Sequence, residues 1–106
     1  MILRAVAGIV FATVASAALG GNISDPDVLQ IVHKHCTTCH AVNPTHENFR
    51  ETPKNIVLES VADLKKHAVV VYAHTVQGRA MPLGNQTGMT EGERAALGQW
   101  LKEAAP

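Results

Sequence analysis

The chain has two cysteines, and both stand in one five-residue cluster, Cys36-Thr37-Thr38-Cys39-His40. Two thiols three positions apart on a helical turn can each form a thioether with one of the two vinyl groups of a single haem. The next residue then offers an imidazole to the iron. One short segment thereby provides both covalent attachment and an axial ligand. Other chemistries use the same residue types. A thioredoxin-like thiol pair would stand at the end of a strand in a βαβ unit, whereas a helical pattern precedes Cys36. A zinc site could recruit Cys36 and Cys39 with two of the six histidines, but no second pair follows at finger-like spacing. A disulfide across so short a loop would gain little from loop closure.

An iron held by one histidine needs a sixth ligand or keeps an open position, and that choice separates electron carriers from gas binders and catalysts. Met81 is the first candidate. It is followed by Pro82 in the glycine-bearing stretch Gly78 to Met89, which is closed to helix by the proline. Met89 is the runner-up, with core packing as its ordinary role. His67 and His74, seven apart, are a bis-histidine option and otherwise helix-surface residues. His33, His35 and His46 read as solvent-facing or capping side chains. His40 needs an acceptor for its second ring nitrogen, and a carbonyl of the following proline-containing loop, such as that of Pro53, could serve. Arg79 and Trp100 could each reach a haem propionate; Trp100 fits better as packing between the first and last helices, because Leu97 and Leu101 share its stripe.

The elements that position these groups are helical. Asp25-Pro26 reads as N-cap and first helical position, and Val28, Ile31, Val32 and His35 carry a first helix up to the cysteines. Residues 41–58, with Pro44 and Pro53, read as loop. Ser60 with Asp63 is a capping signature for a second helix to about Gln77, whose apolar face is Val61, Leu64, Ala68, Val71, Tyr72, Thr75 and Val76. Thr90 and Glu93 form a capping box for a last helix ending near Ala104, with Ala96, Leu97, Trp100 and Leu101 as its stripe. No alternating strand pattern and no internal repeat occurs, so the fold class is all-α.

Met1 to Gly21 holds one charge, Arg4, and then an apolar, small-residue run. This is the plan of an export signal. Ala15-Ser16-Ala17 supplies the small residues of a cleavage site, which places the cut after Ala17, with Ala18 or Gly20 as alternatives. Residues 1–17 are then a signal peptide and 18–106 the domain. An uncleaved inner-membrane anchor is the other option, since the run approaches the length of a bilayer span.

The whole chain of 106 residues balances 9 basic against 9 acidic residues, so it has no basic stripe for nucleic acid. Its 46% hydrophobic and 17% charged content fits a globular chain of one domain. Outside the leader the aromatic side chains are Phe49, Tyr72 and Trp100. So small a domain commonly leans on a metal, disulfide or cofactor to complete its core.

These residues together resemble class I c-type cytochromes: the C-x-x-C-H cluster at Cys36 to His40, Met81-Pro82 ahead of the last helix, and the ending Glu93, Leu97, Trp100, Leu101. A closer likeness is to the C-terminal cytochrome domain of bacterial membrane-bound urate oxidases, carried by Arg79-Ala80-Met81-Pro82-Leu83-Gly84-Asn85, Thr87-Gly88-Met89-Thr90 and Glu93-Arg94. The membrane-embedded oxidase portion of that family has no counterpart in this sequence, so urate chemistry is not carried over. The resemblance implies a small cytochrome c fold, three main helices and loops wrapped around one covalent haem c. It also implies roles for Cys36 and Cys39 as attachment sites and for His40 and Met81 as iron ligands. The expected function is periplasmic electron transfer between a dehydrogenase- or oxidase-type donor and the respiratory chain, without enzymatic activity. Partners would be redox proteins, docked near a haem edge and lysines such as Lys34, Lys54, Lys65 and Lys66, with membrane contact only through an uncleaved leader. A haem-based small-ligand binder or peroxidase with a labile sixth ligand is the alternative.

Overall fold

In the computed structural model, Gly8 and residues 23–105 are described; apart from Gly8, the expected signal peptide and its cleavage site lie outside them. The described residues are all-α, with no strand among them. Helix α1 spans Asp25–His35, α2 Val61–Lys66, α3 Ala68–Tyr72 and α4 Glu91–Ala104. No helix among the described residues is long and apolar enough to cross a membrane.

The helix starts follow the side-chain chemistry at their ends. At α1 the cap is Ser24, one residue before the expected Asp25, because the Ser24 hydroxyl accepts from the Asp27 amide at 3.2 Å and leaves Asp25 and Pro26 in the first turn. Both expected capping boxes form. Ser60 and Asp63 exchange hydrogen bonds ahead of α2, and Thr90 and Glu93 do so ahead of α4.

The expected single second helix is broken. His67 leaves helical geometry (φ −106°, ψ 15°) between α2 and α3, and the chain then widens into a π turn over Ala73–Gln77. The run Val69-Val70-Val71 is β-branched and holds a helix weakly. The break does not cost the apolar face, since Leu64, Ala68, Val71 and Thr75 are all buried.

The core is built where α4 crosses α1 and α3. It contains Val28 and Val32 of α1, Leu58, Leu64 of α2, Ala68 and Val71 of α3, Met89, and Leu97, Trp100 and Leu101 of α4. Gly98 permits the close approach of α4, because a Cβ there would stand 3.2 Å from both methyl carbons of Val76. Trp100 packs as expected between the first and last helices, and its indole N–H donates to Asp25 at 2.9 Å.

Candidate functional site

The cysteine cluster is a continuation of α1 by one tight turn. The Cys36 amide still bonds to the Val32 carbonyl at 2.8 Å, and the Cys39 and His40 amides both return to the Cys36 carbonyl, at 3.2 and 2.8 Å. The Thr37 hydroxyl covers the His33 carbonyl at the helix end. Both thiols are free rather than paired. Cys36 packs against the core, and that burial, with the neighbouring Cys39 second, pushes its thiol up to about 12. The pair follows a helix, α1, whereas a thioredoxin-like pair would stand at the end of a strand.

His40 is oriented by backbone. Its Nδ1–H donates to the Ile56 carbonyl at 2.8 Å, and its own carbonyl accepts from the Leu58 amide at 2.8 Å. The acceptor is therefore Ile56 and not Pro53. The 3-10 turn Pro53–Asn55 explains why: Lys54 and Asn55 take left-handed φ of 57° and 55°, which reverses the chain and lays Ile56 to Leu58 along His40. In the neutral tautomer with its proton on Nδ1, the other ring nitrogen, Nε2, is the one that can bind a metal.

The loop carrying Met81 meets this segment at two points. His46, whose amide is held by the Thr38 carbonyl, donates from Nε2 to Gln86 at 3.0 Å. His35 bonds to Thr87 through Nδ1 at 2.7 Å. The sequence reading of His35 as a solvent or cap residue is thus corrected: it is 3% exposed, in phase with Val28 and Val32 on the buried face of α1. It spans α1, the methionine loop and α4, because its Nε2 also donates to Glu93 at 3.0 Å. His46 is half-buried rather than a free surface residue, its Nδ1 accepting from the Asn48 amide. His33 is exposed as expected, with Nε2 on the Glu59 carbonyl.

Met81 is half-buried and its backbone is fixed at both ends: its amide donates to the His74 carbonyl at 3.0 Å and its carbonyl accepts from Arg94 at 2.8 Å. Met89 is 4% exposed and belongs to the hydrophobic core, with its amide and carbonyl both bonded by the Asn85 side chain. His67 is half-buried at the helix break and His74 is exposed, and the break between them removes the regular spacing of a bis-histidine pair. Arg79 is exposed and ion-paired with Glu91. The four lysines are all exposed but do not share one element: Lys34 lies 3.9 Å from Glu93, Lys54 on the 3-10 turn, and Lys65 and Lys66 on α2. Lys65 lines a shallow groove with Asp25, Trp100 and Glu103.

Two side chains escaped the sequence reading. Arg94 is 6% exposed, and Asn85 clamps Met89. A charged residue in phase with Leu97 and Leu101 was the signal available for Arg94.

The donor types here are those a covalently attached haem would use: two free thiols and an imidazole on one turn, and a methionine on a loop whose Thr87 and Gln86 are bonded to His35 and His46, on either side of that turn. No group of three or more His, Cys, Asp or Glu side chains among the described residues is placed to hold a bare metal ion. Comparison with protein-family models, with curated proteins and with solved structures finds no match.

Glu93 gives this region a pH dependence. The Thr90 amide bond, then the bond and charge of His35 and the charge of Lys34, hold its carboxyl below the usual carboxylate range against the opposing effect of desolvation. A group whose folded pKa is lowered stabilises the fold above its unfolded pKa, and that contribution disappears as pH falls through the folded value. Glu93→Gln is expected to cost about 1 kcal/mol at neutral pH through the weakened cap and lost ion pair. It should also flatten the acid limb of a plot of urea midpoint against pH.

Proposed function

We propose that the chain is an exported, mono-haem c-type cytochrome of class I, a one-electron carrier and not an enzyme. The observation that carries this reading is the turn Cys36 to His40, with two free thiols and a histidine whose Nδ1 is committed to the Ile56 carbonyl. Cys36 and Cys39 would hold the porphyrin by thioethers, and His40 Nε2 and the Met81 sulfur would ligate the iron. When bound, the haem supplies a ferric/ferrous couple.

The chain's own residues set the conditions for that couple. The Ile56 carbonyl fixes the His40 tautomer and strengthens it as a donor. The His74 carbonyl and Arg94 fix the Met81 backbone, so only side-chain freedom would remain to be lost on ligation. A methionine thioether from Met81, used as a ligand together with His40, would favour the ferrous state and raise the potential. Rigid ligands change little between oxidation states, which suits a carrier that makes no bond in a substrate. The donor and acceptor would be redox proteins, such as a membrane-bound oxidase or dehydrogenase, met in the periplasm after export.

The test is the mass of the exported protein from cells that mature c-type cytochromes. The expected result is a polypeptide heavier by one haem, retained after denaturation and with no titratable thiol. A mass matching the polypeptide alone, with Cys36 and Cys39 both alkylated, overturns the proposal.

A further inference from the structure

The geometry points to Arg94 as the positioning residue for the Met81 ligand, an inference that rests on the electron-carrier reading. Arg94 enters α4 one turn after its start and, at 6% exposure, is buried with Leu97 and Leu101. Burying a guanidinium is costly unless its donors are used, and the usual compensation is a carboxylate. Among the described residues Arg94 has no ion-pair partner, and its Nε–H meets no acceptor. Its recorded hydrogen bonds go from one atom, Nη1, to two backbone carbonyls: Thr75 at 2.6 Å and Met81 at 2.8 Å.

Those two carbonyls lie on either side of an irregular passage of the chain. Thr75 is inside the π turn that ends the α3 segment, and Met81 is at the far side of the Gly78-Arg79-Ala80 link. The same passage is closed by the Met81 amide on the His74 carbonyl and by the Gly78 amide on the Ala73 carbonyl. Arg94 therefore pins both ends of the segment to the last helix, and α4 is itself anchored in the core by Leu97, Trp100 and Leu101. A charge-assisted bond to a carbonyl is stronger than a neutral one and resists exchange for water when buried. The role follows from this placement: Arg94 touches neither iron nor sulfur, but determines where the residue bearing the sulfur begins.

The test uses the mature, haem-loaded protein with Arg94→Met, which keeps the aliphatic bulk and removes the donors, and Arg94→Lys, which restores a charge and donors. Three readouts are taken: haem mass, the ferric sulfur-to-iron charge-transfer band against helical circular dichroism in a denaturant titration, and amide hydrogen exchange at Met81. The proposal expects Arg94→Met to keep its covalent haem and to lose the charge-transfer band at lower denaturant than the helices unfold. It also expects the Met81 amide to exchange about tenfold or more faster while the Leu97 amide does not change, the tenfold being the scale of one buried hydrogen bond. Arg94→Lys should recover part of both. If band and helices are lost together, or Met81 and Leu97 exchange accelerate equally, Arg94 is a general packing residue and the inference fails. Should Arg94→Met not accumulate, Arg94→Gln, which removes the charge and shortens the side chain, takes its place in the same comparison, and an unchanged band with unchanged Met81 exchange there overturns the proposal. Absence of covalent haem in the unsubstituted protein removes the electron-carrier reading, and this inference with it, whereas haem-loaded protein with coincident transitions removes the Arg94 role alone.

Discussion

Replacing Cys36 and Cys39 together by serine is expected to abolish covalent haem and most of the cooperative helical unfolding transition. The core explains the size of the effect. Its largest fully buried side chains are Leu64, Leu97, Leu101, Val28 and Val32, and Trp100 is its one buried aromatic among the described residues. α2 and α3 have 6 and 5 residues, too short to persist without tertiary support. A domain this small buries a modest fraction of its surface, so a large apolar group tied to the chain would supply much of the missing contact. Single substitutions should rank, with Cys36→Ser costing more than Cys39→Ser, because Cys36 packs against the core. Thermal melts by circular dichroism on haem-stained, exported protein measure both effects. A double variant with an undiminished melting temperature would show that the polypeptide core is sufficient alone.

Met81→Ala and Met89→Ala are expected to fail in opposite ways. Met89 is 4% exposed among core side chains, so its truncation should leave a cavity and cost about 2–5 kcal/mol while the sulfur-to-iron band persists. Met81 is half-buried and contributes less packing, so its truncation should cost less stability. The charge-transfer band should then vanish and the ferrous protein should bind carbon monoxide rapidly. Ferric spectra, carbon monoxide mixing and urea titration of the two variants separate these outcomes. The reverse pattern would transfer the sixth ligand to Met89. Rapid carbon monoxide binding by the unsubstituted protein would favour a small-ligand binder with a labile sixth position.

The legible parts of the sequence were those governed by local chemistry. Ser60 with Asp63 and Thr90 with Glu93 specify helix starts because the reciprocal bonds lie within four residues. The pairing of Trp100 with the first helix follows from its phase with Leu97 and Leu101. The break at His67 was not legible, because the apolar positions before and after it stay in one phase whether the helix is continuous or not. His35 shows the same limit from another side. Its phase with Val28 and Val32 marks it as buried, yet what makes burial of an imidazole tolerable is Thr87 and Glu93, more than fifty positions away.

The sequence by itself determined the donor types and their local spacing: two thiols and an imidazole within five residues, a methionine beside proline, and helices to carry them. Spacing along a turn is a property of the backbone and needs no other part of the chain. Tertiary structure alone decided which nitrogen of His40 is engaged, through the Ile56 carbonyl, and which methionine is half-buried and which lies in the core, with Arg94 on the carbonyl of Met81 and Asn85 on the main chain of Met89. The reason is that these choices are made by hydrogen bonds between segments that are distant in sequence or joined by irregular loops. Their partners become adjacent only after α4 has packed across α1 and α3.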